Sequence, residues 1–168
     1  MAKEEIDIID ILKELGPHEL TAIEKVVLNM RWYDKFYSTV TNYIFAKYPD
    51  IDMDRLEKIS ADIDQSLENL GHGEVLLIYN KLNEPFVKDF LKTYIQPAKL
   101  ETLSDPLKEI NTLILALNPD IRMKNVEKNV RDVEEKVNKL NLTYGEKWLL
   151  YNYMSHIYLL DLIETAGV

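Results

Sequence analysis

The stretch YPDIDMDRLEKISADIDQSLENL, residues 48–70, decides the fold because the chain contains it twice. Residues 118–140 read NPDIRMKNVEKNVRDVEEKVNKL, and the two stretches align without a gap. The motif Pro-Asp-Ile-x-Met is shared, and valines replace the leucines and isoleucine at positions 56, 63 and 67, so the apolar pattern is kept. Internal similarity at a fixed period is the signature of repeated structural units. The sequence therefore predicts an internal duplication.

A second match follows the first in the same order. GEVLLIYNKLNEPFVKDFL begins at Gly73, GEKWLLYNYMSHIYLLDLI begins at Gly145, and the two share a Tyr-Asn pair at Tyr79 and Tyr151. The spacing between the two matches differs by two residues, and this difference falls in a turn. Helical periodicity alone explains neither the Tyr-Asn pair nor the proline motif, so common origin is the better explanation.

Each copy predicts three helices. The first must end just before Pro49 or Pro119, because proline pushes the preceding residue out of the helical region. The second carries apolar residues at spacings of three and four, with charges between them, which is typical of a helix with one buried face. These residues are Leu56, Ile59, Ile63, Leu67 and Leu70 in the first copy and Val126, Val130, Val133, Val137 and Leu140 in the second.

Capping residues mark the ends of these helices. Asp50 or Asp52 can cap the second helix of the first copy. Thr143 and Glu146 have the spacing of a capping box for the last helix. Gly71 suits the left-handed residue that often follows a helix.

These elements predict an all-α helical bundle made of two tandem three-helix units, residues 33–95 and 104–165, in one compact domain. Residues 1–32 predict an N-terminal helical hairpin, since Leu15-Gly16-Pro17 closes one helix and Thr21 with Glu24 caps another. Whether this hairpin is a truncated third copy stays open. The two units can pack across an approximate two-fold axis or stack in series.

Composition narrows the class of protein. A net charge of −9 disfavours a general nucleic-acid binder, which needs a basic surface. The absence of cysteine excludes disulfides and indicates a reducing compartment. Acids within the N-terminal apolar stretch do not fit a signal peptide, and no apolar run is long enough to span a bilayer. We therefore expect a cytoplasmic protein without membrane contact, and the Lys, Glu and Ile content is compatible with a thermophilic source.

The last helix is apolar on almost every side, which indicates either burial in the chain's own core or contact with another chain. Aromatic residues and methionine contribute strongly to protein interfaces. The predicted interface residues on this helix are Trp148, Tyr151, Tyr153, Met154 and Tyr158.

Searches for catalytic, metal and phosphate-binding motifs give no convincing site. Asp50, Asp52 and Asp54 have the spacing of an EF-hand, but Arg55 stands where the loop needs glycine and Ala61 where it needs glutamate. None of the three histidines belongs to a Glu-x-x-His motif, and Gly71-His72-Gly73 lacks the lysine of a phosphate loop. We expect no cofactor, no metal and no enzymatic activity.

The leading functional hypothesis is a non-enzymatic adaptor, regulator or complex subunit that binds a protein partner or itself. A second hypothesis is a nucleic-acid accessory protein that uses a basic face formed by Lys124, Lys128, Arg131, Lys136 and Lys139. A third is an enzyme or small-ligand binder with a site between the units, near the pairs Tyr79-Asn80 and Tyr151-Asn152.

Overall fold

The computed structural model describes residues 38–39, 41–94, 108, 111–112, 114–115 and 118–165, and all regular secondary structure in these residues is helical. Four long helices are α1 (Met53–Leu67), α2 (His72–Tyr94), α3 (Met123–Asn138) and α4 (Tyr144–Thr165). A shorter helical segment, 41–47, precedes α1, and helical residues at 111–112 and 114–115 precede α3. The all-α prediction is confirmed for this part of the chain. The predicted hairpin of residues 1–32 lies outside it.

The apolar stripes of α1 and α3 face the core, as their spacing predicts. In α1 the buried residues include Leu56, Ile59, Ile63 and Leu67, and in α3 they are Val126, Val133 and Val137. Val130 and Leu70 pack against the core while partly exposed. Leu140 is the exception, because it lies beyond the end of α3 and is exposed.

The helix ends agree with the predicted caps at two positions and differ from the prediction at a third. The backbone N–H of Arg55 donates to the Asp52 side chain at 3.2 Å, so Asp52 is the cap of α1. Thr143 and Glu146 form the predicted capping box, with reciprocal hydrogen bonds of 3.2 and 3.3 Å. The prediction for Gly71 is wrong, because its backbone is not left-handed. Among the described residues, the non-glycine residue with a left-handed backbone is Asn141, with φ of 52°, in the longer turn after α3.

Helices α2 and α4 form the central pair of the bundle. Helix α3 packs chiefly on α2, and α1 packs on α4. The second helix of each predicted unit therefore lies against the third helix of the other unit. The turn after α3 is fastened to α1 by Arg55, whose guanidinium donates to the Leu140 carbonyl oxygen at 3.0 Å.

Polar contacts to the short first helices recur at equivalent positions of the repeat. The Asn80 amide in α2 donates to Asn111 Oδ1 at 2.9 Å, and the Asn152 amide in α4 donates to Thr41 Oγ1 at 3.1 Å. Asn80 aligns with Asn152, and Thr41 aligns with Asn111. Each bond thus joins one copy to the other.

Two residues that align with each other also touch. Asn83 in α2 donates to Ser155 Oγ in α4 at 3.1 Å, and both side chains are buried.

The aligned glycines Gly73 and Gly145 lie close to residues of the other predicted unit. A Cβ atom on Gly73 would lie 2.6 Å from Asn118 Nδ2, and one on Gly145 would lie 3.3 Å from Tyr48 Cδ2. Asn118 and Tyr48 are themselves equivalent residues of the repeat. Glycine is needed where another part of the chain comes this close.

Aromatic side chains form two ring clusters at equivalent places. In one cluster Tyr79 stacks on Tyr158, with centroids 5.7 Å apart, and His72 lies 6.0 Å from Tyr158. In the other, Phe86 lies 6.2 Å from Tyr151 and 4.4 Å from Tyr144. The two clusters consist of aligned residues. Tyr151 aligns with Tyr79, Phe86 aligns with Tyr158, and Tyr144 aligns with His72.

Candidate binding surfaces

The five predicted interface residues differ in how far the structure buries them. Trp148, Tyr151 and Met154 are at most 2% exposed and belong to the chain's own core, so they contribute almost no exposed surface. Tyr158 is half-buried, and its hydroxyl donates to Asp64. Tyr153 alone of the five is clearly exposed. The exposed aromatic surface is concentrated elsewhere, beside the helical segment 41–47.

A concave surface, which we call the tyrosine groove, lies between segment 41–47, the second half of α2 and the start of α4. Its volume is about 320 Å³. Three tyrosines at its edge, Tyr43, Tyr48 and Tyr144, count among the exposed large apolar residues of the described chain. The groove is lined by Tyr43, Ile44, Lys47, Tyr48, Phe86, Asp89, Phe90, Thr93, Tyr144, Gly145 and Trp148.

Two charged residues give this aromatic groove its polarity. The Lys47 ammonium lies 5.7 Å from the ring centroid of Tyr48 and 6.0 Å from that of Tyr43, within the range of cation–π attraction. In the same groove, the Tyr144 hydroxyl donates to Asp89 at 2.9 Å. Burial, followed by this hydrogen bond and the charge of Asp89, raises the pKa of Tyr144 to about 12. The groove therefore combines aromatic side chains with one cation and one anion.

A second concavity, the Ser60 pocket, lies on the other side of segment 41–47. Its volume is about 220 Å³. Segment 41–47, α1 and α4 supply its walls, which are Ser38, Thr41, Asn42, Phe45, Met53, Leu56, Glu57, Ser60, Leu149, Leu150, Asn152, Tyr153 and His156. Ser60 is only 4% exposed, yet its hydroxyl has no hydrogen-bond partner. The buried Oδ1 of Asn152 also lacks a partner.

The equivalent place in the other copy has a different lining. Val130 stands where the pocket has Ser60, and Lys81 stands where it has Tyr153. Lys81 pairs with Glu127 across this place at 3.6 Å. Two places whose residues align in the sequence thus differ in polarity and in the charge at the edge.

The predicted basic face is exposed in all five positions, Lys124, Lys128, Arg131, Lys136 and Lys139. Acids share the same face of α3 and its end, and Glu135 pairs with Lys139 at 3.4 Å. Within α3 four basic residues are matched by four acids. The field that this face offers a phosphate backbone is therefore weak.

The duplicated tyrosines of the third hypothesis are core residues. Tyr79 and Tyr151 are at most 2% exposed, and neither lines the tyrosine groove or the Ser60 pocket. Burial raises the pKa of both hydroxyls above the ordinary tyrosine value, with further contributions from Asp64 at Tyr79 and from Glu134 at Tyr151. Both tyrosines therefore stay neutral and serve packing.

In the described part of the chain, no three His, Asp or Glu side chains are grouped to hold a metal ion. None of the described helices has both the length and the apolar character of a bilayer span. Comparison with protein-family models, curated proteins and solved structures gave no match.

Sequence reasoning missed most of the residues that line the two concavities, although the predicted interface residues Trp148 and Tyr153 are among them. Tyr43, Tyr48 and Ser60 were not singled out, because each resembles an ordinary residue of an amphipathic helix. A signal was available, since Tyr48 aligns with Asn118 and Ser60 with Val130. Differences between the copies, more than similarities, point to these surfaces.

Proposed function

We propose that the chain is a non-enzymatic interaction protein whose docking surface is the tyrosine groove. The observation that carries this proposal is the grouping of three exposed tyrosines around one concavity that also contains Phe86 and Phe90. Tyrosine is enriched among the residues that dominate binding energy in protein interfaces, because it buries a large area with few rotatable bonds.

The chemistry of the groove favours a protein partner over nucleic acid. Asp89 lies in the groove and the chain carries a net charge of −9, so a phosphate backbone would be repelled. A protein segment that combines an apolar side chain with a basic one would match the aromatic walls and Asp89 together.

Affinity isolation with tyrosine variants tests the docking proposal. The purified full chain is used to capture proteins from an extract of the source cells, and the captured proteins are quantified by mass spectrometry. We expect at least one partner whose binding weakens about 30-fold in Tyr48→Ala and in Tyr144→Ala, as for hot-spot residues worth about 2 kcal/mol. Sedimentation of the purified chain with the same variants tests self-association.

The matched control is Tyr153→Ala, because Tyr153 is 46% exposed but lies outside the tyrosine groove. Circular dichroism verifies that every variant is folded. A partner that binds equally well to all three variants, together with unchanged sedimentation, would contradict docking at the groove.

We further propose that the chain is an internal duplication whose two three-helix units exchange their helices across an approximate two-fold axis. The reciprocal bonds of Asn80 and Asn152 support this arrangement. The contact between the equivalent residues Asn83 and Ser155 supports it independently. Stacking of self-contained units in series would give neither feature.

A further inference from the structure

We propose that the Ser60 pocket binds a small, neutral molecule that carries a carboxamide on an apolar body. This site is separate from the tyrosine groove, and the inference does not depend on the docking function.

The unpartnered polar atoms define what the ligand must supply. Asn152 Oδ1 can only accept a hydrogen bond. The N–H₂ group of the same side chain already donates to Thr41. The Ser60 hydroxyl can donate. A carboxamide has an N–H for the first atom and a carbonyl oxygen for the second. Leaving both buried atoms without partners is costly, so a ligand that forms hydrogen bonds with them is favoured.

The walls define the rest of the molecule. Phe45, Leu56 and Leu149 supply apolar surface for a ring or a short hydrocarbon chain. The volume of about 220 Å³ is below the range of roughly 300–1,000 Å³ that is typical of pockets for larger ligands. The occupant is therefore a molecule of about the size of a single amino-acid side chain.

The repeat provides an internal comparison that separates ligand binding from folding. At the equivalent place the fold is built with Val130 instead of Ser60, so the architecture has no need of a hydroxyl there. Ser60 is buried, has no hydrogen-bond partner and is not needed for the fold. These properties indicate a residue that binds a ligand. Functional sites commonly keep residues that lower the stability of the folded chain.

Benzamide and acetophenone are the matched probes for this site. Acetophenone keeps the ring and the carbonyl of benzamide but has a methyl group in place of the amide nitrogen. In ¹H–¹⁵N NMR titrations of the full chain, we expect saturable shifts of the Asn152 side-chain amide with benzamide. We expect acetophenone to bind at least about tenfold more weakly, because it leaves Asn152 Oδ1 unpaired.

The variant Ser60→Val completes the test, because it copies the equivalent position of the other copy. We expect it to fold, to melt at a higher temperature than the wild type and to lose at least about tenfold in benzamide affinity. Equal binding of the two probes to the wild type would overturn the proposal by showing a merely apolar cavity. So would an absence of saturation with benzamide, or a crystal soaked in benzamide in which only water bridges Ser60 and Asn152.

Discussion

At the scale of single residues, the repeat supplies natural controls for the polar contacts. Tyr158 aligns with Phe86, so the first ring cluster has a hydroxyl at a position where the second cluster has none. The Tyr158 hydroxyl donates to Asp64, and the hydrogen bond is partly buried. The contribution of this bond can therefore be measured with a substitution that the fold already tolerates elsewhere.

We predict that Tyr158→Phe lowers the free energy of unfolding by about 1 kcal/mol, because Asp64 loses a donor while ring stacking on Tyr79 is kept. Urea denaturation followed by circular dichroism measures the change. Tyr153→Phe, at an exposed position, is the control and should change stability by less than about 0.5 kcal/mol. Equal effects of the two substitutions would show that the Asp64 bond contributes nothing.

The Tyr144 hydroxyl predicts a stability change at alkaline pH. Its pKa is about 12 in the folded chain, against 10.0 for an ordinary tyrosine, so the folded state holds the proton more tightly. The stabilisation is complete below pH 10 and is lost as the pH rises towards 12. Urea midpoints between pH 9 and pH 11.5 should therefore fall more steeply for the wild type than for Tyr144→Phe. Parallel curves would contradict the raised pKa of Tyr144.

At the scale of helices, α1 and α3 begin differently although their sequences align. Asp52 caps α1, whereas Arg122 occupies the same position before α3 and makes no side-chain cap. Arg122 has an extended backbone, with φ of −92° and ψ of 110°, which is the conformation of a capping residue. The backbone is thus ready for a cap that the side chain does not provide.

We predict that Arg122→Asp raises the free energy of unfolding by about 1 kcal/mol, because aspartate would accept from a backbone N–H and favour the positive end of α3. Arg122→Ala is the control for removal of the arginine itself. Thermal and urea unfolding of both variants give the comparison. The prediction fails if aspartate is no more stable than alanine at this position.

The helices were predictable from the sequence to the extent that local chemistry determines them. The stripe from Leu56 to Leu67, the proline boundaries and the Thr143 capping box are all local features. The prediction for Gly71 was wrong, and the aligned residue Asn141 is left-handed instead, in a turn that is two residues longer. Turn geometry depends on where the next helix must pack, and a single sequence does not contain that information.

At the scale of the whole molecule, the apolar last helix is explained by its central position. Paired with α2, it is covered on several sides by the chain's own residues, so Trp148, Tyr151 and Met154 are buried. The sequence left two explanations open for this helix, burial in the core and contact with a partner. Which residues are buried and which are exposed depends on tertiary packing, which the sequence pattern does not contain. The two concavities were not predictable for the same reason, because α4 meets residues more than 80 positions earlier in both.

The close approach at the glycines predicts unequal effects of the same substitution. A Cβ atom on Gly73 would meet Asn118 Nδ2, which is held by a hydrogen bond to the Ile114 carbonyl oxygen at 3.0 Å. We predict that Gly73→Ala costs about 1–2 kcal/mol of stability through overpacking. Gly145→Ala should cost less, because its nearest neighbours lie at 3.2 Å or more. Urea denaturation measures both, and the reverse order would contradict the proposed contacts between copies.

The exchange of helices between the two copies underlies the whole account, since both concavities are built where segment 41–47 of one copy meets α4 of the other. Nuclear Overhauser effects between side chains test it most directly, because the signals require protons within about 5 Å, the scale of a hydrogen-bonded side-chain contact. The account predicts signals that join the Asn152 amide to Thr41 and the Asn80 amide to Asn111. Signals that instead join Asn80 to Thr41 and Asn152 to Asn111 would contradict it, because each copy would then be folded on itself.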